Sequence, residues 1–86
     1  MKLVYVEWVD SCGHDDWISP AEIEVLDTGQ MRSVGWLFKR TPEMTVIVPH
    51  AGFTADEKFF SGRGSVAIPN VAITKMRTVV ITTKKG

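Results

Sequence analysis

The segment best suited to ligand binding is the run Phe59-Phe60-Ser61-Gly62-Arg63-Gly64. Glycine lets backbone amides approach an anion closely, an arginine guanidinium offers several donors to a phosphate, and phenylalanine can stack on a base. The run lacks the further glycines and the lysine of a phosphate-binding loop. The alternative is that one phenylalanine fills the core while the other covers a subunit contact, since exposed aromatic residues commonly mark interfaces.

Two side chains outside this run are further candidates for the same ligand, Trp17 and Arg40. Trp17 precedes a helix-start signal, and the pattern leaves its placement open. Arg40 belongs to a set of bases that would contact a nucleic-acid backbone, namely Arg32, Lys39, Arg40, Arg63, Lys75 and Arg77. Trp8 and Trp36 alternate in phase with Val6 and Val34, which favours packing in the core over stacking on bases.

Four potential metal ligands or catalytic groups occur within five residues, at Cys12, His14, Asp15 and Asp16. Structural zinc requires two pairs of ligands at defined spacing, and Cys-x-His supplies one pair even if His50 is added. A cysteine nucleophile needs a positioned base and a group that orients this base, and no such third group can be identified. We therefore predict a solvated loop, with no metal, no cofactor and no enzymatic activity.

The elements that must position these residues are mostly strands. Leu3 to Val9 alternates apolar and polar residues, which is typical of a strand, and a polar loop follows it. Ser19-Pro20-Ala21-Glu22 has the form of a capping box and predicts a short helix to about Leu26. The alternation in residues 22–27 suits a strand equally well, so both interpretations stay open.

The second half of the chain predicts a hairpin and at least two shorter strands. Residues 33–40 and 44–50 are rich in β-formers and flank a Thr-Pro-Glu turn. Residues 51–64 read as a long loop, and strands return at 66–68 and within 71–83. Apolar residues on both faces of the hairpin indicate a sheet that curls around a core and also meets another surface. We therefore expect a mainly β fold, a small bent five-stranded barrel with at most one short helix.

The bulk properties limit the chain to one small domain over residues 1–86, 44% hydrophobic and 23% charged. No apolar run approaches the roughly 20 residues that cross a bilayer, so we expect no membrane contact. The single cysteine cannot form an internal disulfide, which favours the cytoplasm. A small domain without a disulfide often gains stability by association, so we also expect a homo-oligomer.

The zero net charge hides an uneven distribution along the chain. Residues 1–30 carry seven acids and one lysine, a net charge of −6. Residues 31–86 carry nine bases and three acids, a net charge of +6. This division predicts a basic face for an anionic partner or complementary faces that dock subunits head to tail, unless folding interleaves the two halves.

Two stretches resemble the motifs of Sm-like barrels. Residues 34–48, Val-Gly-Trp-Leu-Phe followed by a turn and Met-Thr-Val-Ile-Val, resemble the first Sm motif, and residues 66–73 resemble the second. The resemblance implies ring-forming oligomers that pair through edge strands, and it makes RNA an alternative partner. The residues that line the Sm RNA site are not carried over, because Thr45 and Pro69-Asn70 stand where that family has asparagine and arginine-glycine.

A wider pattern is similar to a group of short, uncharacterised proteins of tailed bacteriophages. It comprises Trp8, Asp10, Trp17, residues 33–36, Ile68-Pro69 and Ile73. This resemblance implies an accessory protein made in the cytoplasm of an infected bacterium. We expect a non-enzymatic binder of a small anionic, nucleotide-type ligand that counters host defence. The alternatives are an RNA-binding regulator and a protein inhibitor that blocks a host enzyme.

Overall fold

The computed structural model describes residues 1–11 and 15–82 and contains seven strands and two short helices. The elements in chain order are β1 (Leu3–Asp10), α1 (Pro20–Glu24), β2 (Gly29–Arg40), β3 (Met44–Val48), β4 (His50–Phe53), β5 (Phe59–Arg63), β6 (Val66–Pro69), a 3₁₀ turn (Asn70–Ala72) and β7 (Ile73–Thr78). The mainly β prediction is confirmed. Of the two interpretations of residues 20–27, the helix is correct over Pro20–Glu24.

Five strands form one antiparallel sheet in the order β6-β3-β2-β1-β7, and β4 and β5 form a separate hairpin. The chain passes from β3 to β4 with only Pro49 between them, and from β5 to β6 across Gly64 and Ser65. The seven strands are thus five runs of extended chain, two of which bend sharply. Residues 51–64, predicted to be a long loop, are instead mostly paired, because β4 and β5 continue the ladder of β3 and β6 beyond the bend.

The sheet is curled but open. Val4, Val6, Ile47 and Ile68 are the buried centre of its inner face, and side chains from both edge strands pack against them. These edge residues are Val66 of β6 and Ile73 and Met76 of β7. Within the described residues β6 and β7 share no backbone ladder. Closure of the predicted small barrel is therefore not observed, and the two edges are joined by side-chain packing and by the 3₁₀ turn, which links β6 directly to β7.

Three single-residue bulges shape the strands. The extra residues are Phe38 in β2, Phe60 in β5 and Thr74 in β7, each lying where the register of a pair shifts. A bulge bends its strand and increases the local twist. The Phe38 bulge also changes which residues of β2 face inward, so that Arg40, opposite buried Thr45, shares the inner face with Leu37.

A second layer covers part of the outer face of the sheet. Trp36 is opposite Val48, and Val48 is buried although it does not belong to the inner core. A Cβ on Gly62 of β5 would lie only 2.6 Å from Cγ1 of Val48, so the β4–β5 hairpin lies directly on Val48. The expectation that the apolar outer face meets another surface is confirmed.

Candidate functional site

The candidate ligand-binding run forms strand β5 and the bend that follows it. Gly64 has φ = +73°, in the left-handed region that glycine adopts without strain, and it turns the chain from β5 into β6. His50, at the start of β4, is directly opposite Arg63 at the end of β5. Directly opposite residues of an antiparallel pair share one face, so His50 and Arg63 are neighbours on the surface of the hairpin.

The two adjacent phenylalanines have different surroundings because Phe60 is the bulged residue. Phe59 pairs with Phe53 and contacts the ring of Phe38, with ring centroids 5.8 Å apart. Phe60 is 66% exposed, and its ring lies over Gly52, within 2.9 Å of the position that a Cβ would occupy. The absence of a side chain at Gly52 therefore gives Phe60 its place on the hairpin.

Residues of β4 and β5 line a shallow, open depression of about 310 Å³, hereafter the hairpin depression. Its lining comprises His50, Ala51, Gly52, Phe60, Ser61, Gly62 and Arg63. The only ion pair among the described residues joins Lys58 and Asp56, so the Arg63 guanidinium has no carboxylate partner there. An aromatic ring, a guanidinium, an imidazole and a hydroxyl thus meet on a glycine-containing floor, a set suited to a planar anionic ligand.

The structure separates the remaining predicted ligand residues from this depression. Trp17 is fully exposed in the segment before α1, and Arg40 lies at the end of β2, where its guanidinium is 3.7 Å from the sulfur of Met76. Neither lines the hairpin depression. Phe59 and Gly64 flank the lining residues Phe60 to Arg63 in the chain but do not themselves line the hairpin depression. The sequence pattern suggests only a metal-binding role for His50. Its pairing with Arg63 depends on the register of the hairpin, which the pattern does not predict.

The aromatic patch is a second cluster, formed by Trp36, Phe38, Phe53 and Phe59. Neighbouring rings are 5.8–6.0 Å apart in tilted or edge-on contacts. A depression of about 420 Å³ opens beside it and is lined by Met1, Trp36, Phe53 and Glu57. Trp36 was predicted to pack in the core. The structure places it outside the inner core, because Trp36 pairs with Leu3 and so shares the outer face with it.

The outer face of the three strands β2, β1 and β7 is basic. The register places Glu7 between Arg32 and Lys75, and Tyr5 beside Arg77. The Tyr5 hydroxyl donates a 2.8 Å hydrogen bond to the Glu7 carboxylate, and this bond raises the pKa of Tyr5 above its ordinary value. None of these three bases forms an ion pair with a described carboxylate.

The other two tryptophans differ from Trp36. Trp8 packs against the inner core, and its indole N–H donates a 3.0 Å hydrogen bond to the hydroxyl of Ser33. Core packing is therefore confirmed for Trp8. Cys12 and His14, considered above as metal ligands, lie outside the described residues, and residues 1–11 and 15–82 contain no group of three or more side chains arranged to hold a metal ion.

Comparisons of the chain with protein-family profiles, with curated proteins and with solved structures give no match. No helix in the described part of the chain has the length and apolar character needed to span a membrane.

Proposed function

We propose that this protein is a non-enzymatic binding protein that captures a small anionic ligand of nucleotide type in the hairpin depression. The observation that carries the proposal is the exposed Phe60 ring beside the Arg63–His50 pair. In this arrangement Arg63 and His50 contact a phosphate, Phe60 stacks on the base, and Ser61 donates or accepts a hydrogen bond. Each base stacked on an aromatic side chain contributes about 1–3 kcal/mol to such complexes.

We further propose the biological setting that the sequence resemblances imply. The order of the strands in the sheet, with β7 beside β1 and a 3₁₀ turn before β7, supports the resemblance to small Sm-like barrels. In this setting the protein is a homo-oligomer in the cytoplasm of a phage-infected bacterium and lowers the free concentration of a nucleotide defence signal. Its expression should then protect infecting phage from a nucleotide-signalled defence system.

The binding test uses cyclic di-AMP, AMP and inorganic phosphate as probes in thermal-shift and calorimetric titrations. We expect the two nucleotides to raise the melting temperature of the wild-type protein and phosphate alone to do so less, because it cannot stack on Phe60. Arg63→Gln and Phe60→Leu should each weaken nucleotide binding about ten-fold or more. Lys58→Gln, an exposed change in the turn of the same hairpin, is the matched control.

Two results would remove the proposal. One is a melting temperature that does not change with any of the three probes at about 1 mM, a concentration that reveals even weak sites. The other is nucleotide binding that Arg63→Gln and Phe60→Leu leave unchanged, because the ligand would then occupy a different surface.

RNA binding is a second candidate, favoured by Arg32, Lys75 and Arg77 on the outer face. Contacts to phosphates release counterions, so binding of an oligouridine should weaken steeply as salt rises. Arg77→Gln should reduce the slope of this dependence by about one unit. Binding that does not depend on salt would count against this candidate.

A further inference from the structure

The chain exposes more surface than a compact protein of its mass. Its accessible area is 7024 Å². A monomer of 9.6 kDa is expected to expose about 5,100 Å². The radius of gyration is 17.2 Å, whereas a compact domain of 86 residues has a value of about 12 Å. The excess of about 1,900 Å² is comparable to the area that a stable protein interface buries.

Part of this excess is the arm, defined here as residues 15–28, which connects β1 to β2. Ile23, Val25 and Leu26 are 53%, 79% and 41% exposed, and α1 has no buried residue. The hydrogen bonds described for the arm are internal. Ser19 caps α1 and exchanges hydrogen bonds with Glu22, and the Leu26 amide donates to the Ile23 carbonyl.

The local structure of the arm is therefore formed while its apolar side chains, except the half-buried Ile18, remain exposed. A helix of five residues is too short to be stable in water without packing. Within the described residues the chain supplies no buried contact for it. The exposed apolar side chains of the arm are therefore the surface that a stabilising contact would cover.

The arm is also strongly acidic. It carries five carboxylates and no basic residue, at Asp15, Asp16, Glu22, Glu24 and Asp27. All five residues are exposed, and none forms an ion pair with a described cation. The surface that receives the arm should therefore combine exposed apolar side chains with unpaired bases.

The outer face of the sheet has this combination. Val34 and Phe38 of β2 are 51% and 53% exposed, and Phe38 belongs to the aromatic patch. Arg32 and Arg77 are on the same face as Val34. The arm and this face both expose apolar side chains, and the acids of the arm are opposite in charge to the bases of the face.

The arm and the aromatic patch are at opposite ends of the β1–β2 pair. The arm leaves from Asp10 and Gly29, whereas Trp36 of the patch is opposite Leu3. Strand β1 has eight residues, so these ends are separated by about 23 Å. This separation from the patch of its own sheet favours the patch of another copy as the surface on which the arm docks.

We propose that the arm of one copy of this chain docks on the outer face of the next copy. Trp17, Ile23 and Leu26 of the arm cover the aromatic patch and Val34. The carboxylates of α1 contact Arg32 and Arg77. The arm and the outer face are different surfaces, so the contact is either reciprocal in a two-fold dimer or head to tail in a ring or an open filament.

The first test is analytical ultracentrifugation of the wild-type protein and of two charge-reversed variants. We expect the wild type to associate beyond the 9.6 kDa of one chain as its concentration rises. In the arm-reversed variant, Glu22→Lys with Glu24→Lys reverses the charge of α1. In the face-reversed variant, Arg32→Glu with Arg77→Glu reverses the charge at the two positions that α1 is proposed to contact. Each variant alone should raise the dissociation constant about ten-fold or more at low salt. The control is Glu43→Lys, an exposed reversal in the β2–β3 turn, which should leave association unchanged.

Mixing the two reversed variants separates contacts between copies from contacts within one chain. In the mixture the charges at positions 22 and 24 of each variant are opposite to those at positions 32 and 77 of the other, so association should return to the wild-type level. If the arm folded back on its own sheet, mixing would restore nothing, and the proposal would be wrong. Circular dichroism of each variant establishes that it is folded.

Four further results would overturn the proposal. The first is a wild-type protein that remains a single chain at several hundred micromolar. The second is an arm-reversed variant that associates as the wild type does. The third combines two double variants. Val80→Asp with Ile81→Asp changes exposed apolar residues outside the arm, and the proposal would be wrong if this variant dissociated the oligomer while Ile23→Ser with Leu26→Ser, within the arm, left it intact. RNA would occupy the same outer face, so a wild type that associates only when oligouridine is added also contradicts docking by the arm.

Discussion

At the scale of single residues, Thr45 and Asn70 have structural roles where a resemblance to Sm proteins would place ligand-binding side chains. Thr45 is completely buried, and its hydroxyl donates a 2.7 Å hydrogen bond to the side-chain oxygen of Asn70. The Asn70 amide group then donates to the Thr41 carbonyl at 2.8 Å. These bonds join the β2–β3 turn to the 3₁₀ turn, so both side chains are occupied within the chain. At the positions where the sequence differs from the Sm pattern, the side chains of Thr45 and Asn70 therefore connect two turns of the fold, a role different from ligand binding.

Tyr5 offers a prediction at this scale, because it is the only tyrosine and its ionisation can be followed by absorbance near 295 nm. Its hydrogen bond to the Glu7 carboxylate favours the protonated phenol, so the midpoint should lie above 10.0. Glu7→Gln should lower the midpoint towards that value, whereas Glu43→Gln should not. Since the folded pKa is raised, the stability that this group contributes is present at neutral pH and is lost as pH rises through that pKa. Equal midpoints in the two variants would contradict the assignment.

At the scale of elements, the β4–β5 hairpin decides the geometry of both candidate surfaces. One side of it carries the hairpin depression, and its other side lies on Val48 and completes the aromatic patch. The bends at Pro49 and Gly64 turn the hairpin out of the plane of the five-stranded sheet and over Val48 on its outer face. A displacement of this hairpin would therefore alter the ligand site and the outer face together.

The contact between Gly62 and Val48 is the basis of a prediction for this element. A methyl group on Gly62 would be 2.6 Å from Cγ1 of Val48, a stiff β-branched side chain that is almost completely buried. We expect Gly62→Ala to lower the free energy of unfolding by about 1–3 kcal/mol, as overpacking does. In Gly29→Ala the new methyl group would be no closer than 3.6 Å to its neighbours, so this variant should change stability by less than about 0.5 kcal/mol. Urea unfolding at one protein concentration compares them, and equal stabilities would mean that the hairpin does not rest on Val48.

At the scale of the whole molecule, one small core connects the two edges of an open sheet. Ile68 of β6 is completely buried and shares that core with Ile73 and Met76 of β7. These side chains join strands that share no backbone ladder, and the guanidinium of Arg40 adds a contact to Met76. The curl of the sheet therefore depends on these apolar side chains together with the short 3₁₀ turn that links β6 to β7.

This dependence predicts a large effect of Ile68→Ala. Truncation of a fully buried isoleucine costs about 2–5 kcal/mol. A domain of 86 residues has a total stability of about 4–13 kcal/mol, so much of it would be lost. Val71→Ala, at an almost fully exposed position three residues away, should change stability by less than about 0.5 kcal/mol. Because association also stabilises a protein, both variants are compared with the wild type at equal chain concentration. Similar unfolding midpoints for the two variants would show that the edges are held by other contacts.

The predictions from sequence differ in accuracy according to the range of the contacts that they require. Alternation identified β1 and the β2–β3 hairpin, and the capping box gave the start of α1, because these patterns arise from neighbouring residues. The three bulges were not predicted, since an extra residue is defined only by the strand opposite it. The bulges decide which way Arg40 and Phe60 face, and so the candidate site was only partly predictable. Phe60 and Arg63 are together as expected, whereas Trp17 and Arg40 lie elsewhere.

The sequence by itself determined the β-rich class, the short capped helix and a run of aromatic, glycine and basic residues. It did so because local propensity, alternation and capping depend on residues close in the chain. Only the tertiary structure decided that this run is a strand, that His50 is opposite Arg63, and that Trp36 lies on the outer face. These features depend on strand register, and a shift of one residue exchanges the two faces of a strand. Register is set by the packing of the core and the turns together, which no single segment contains.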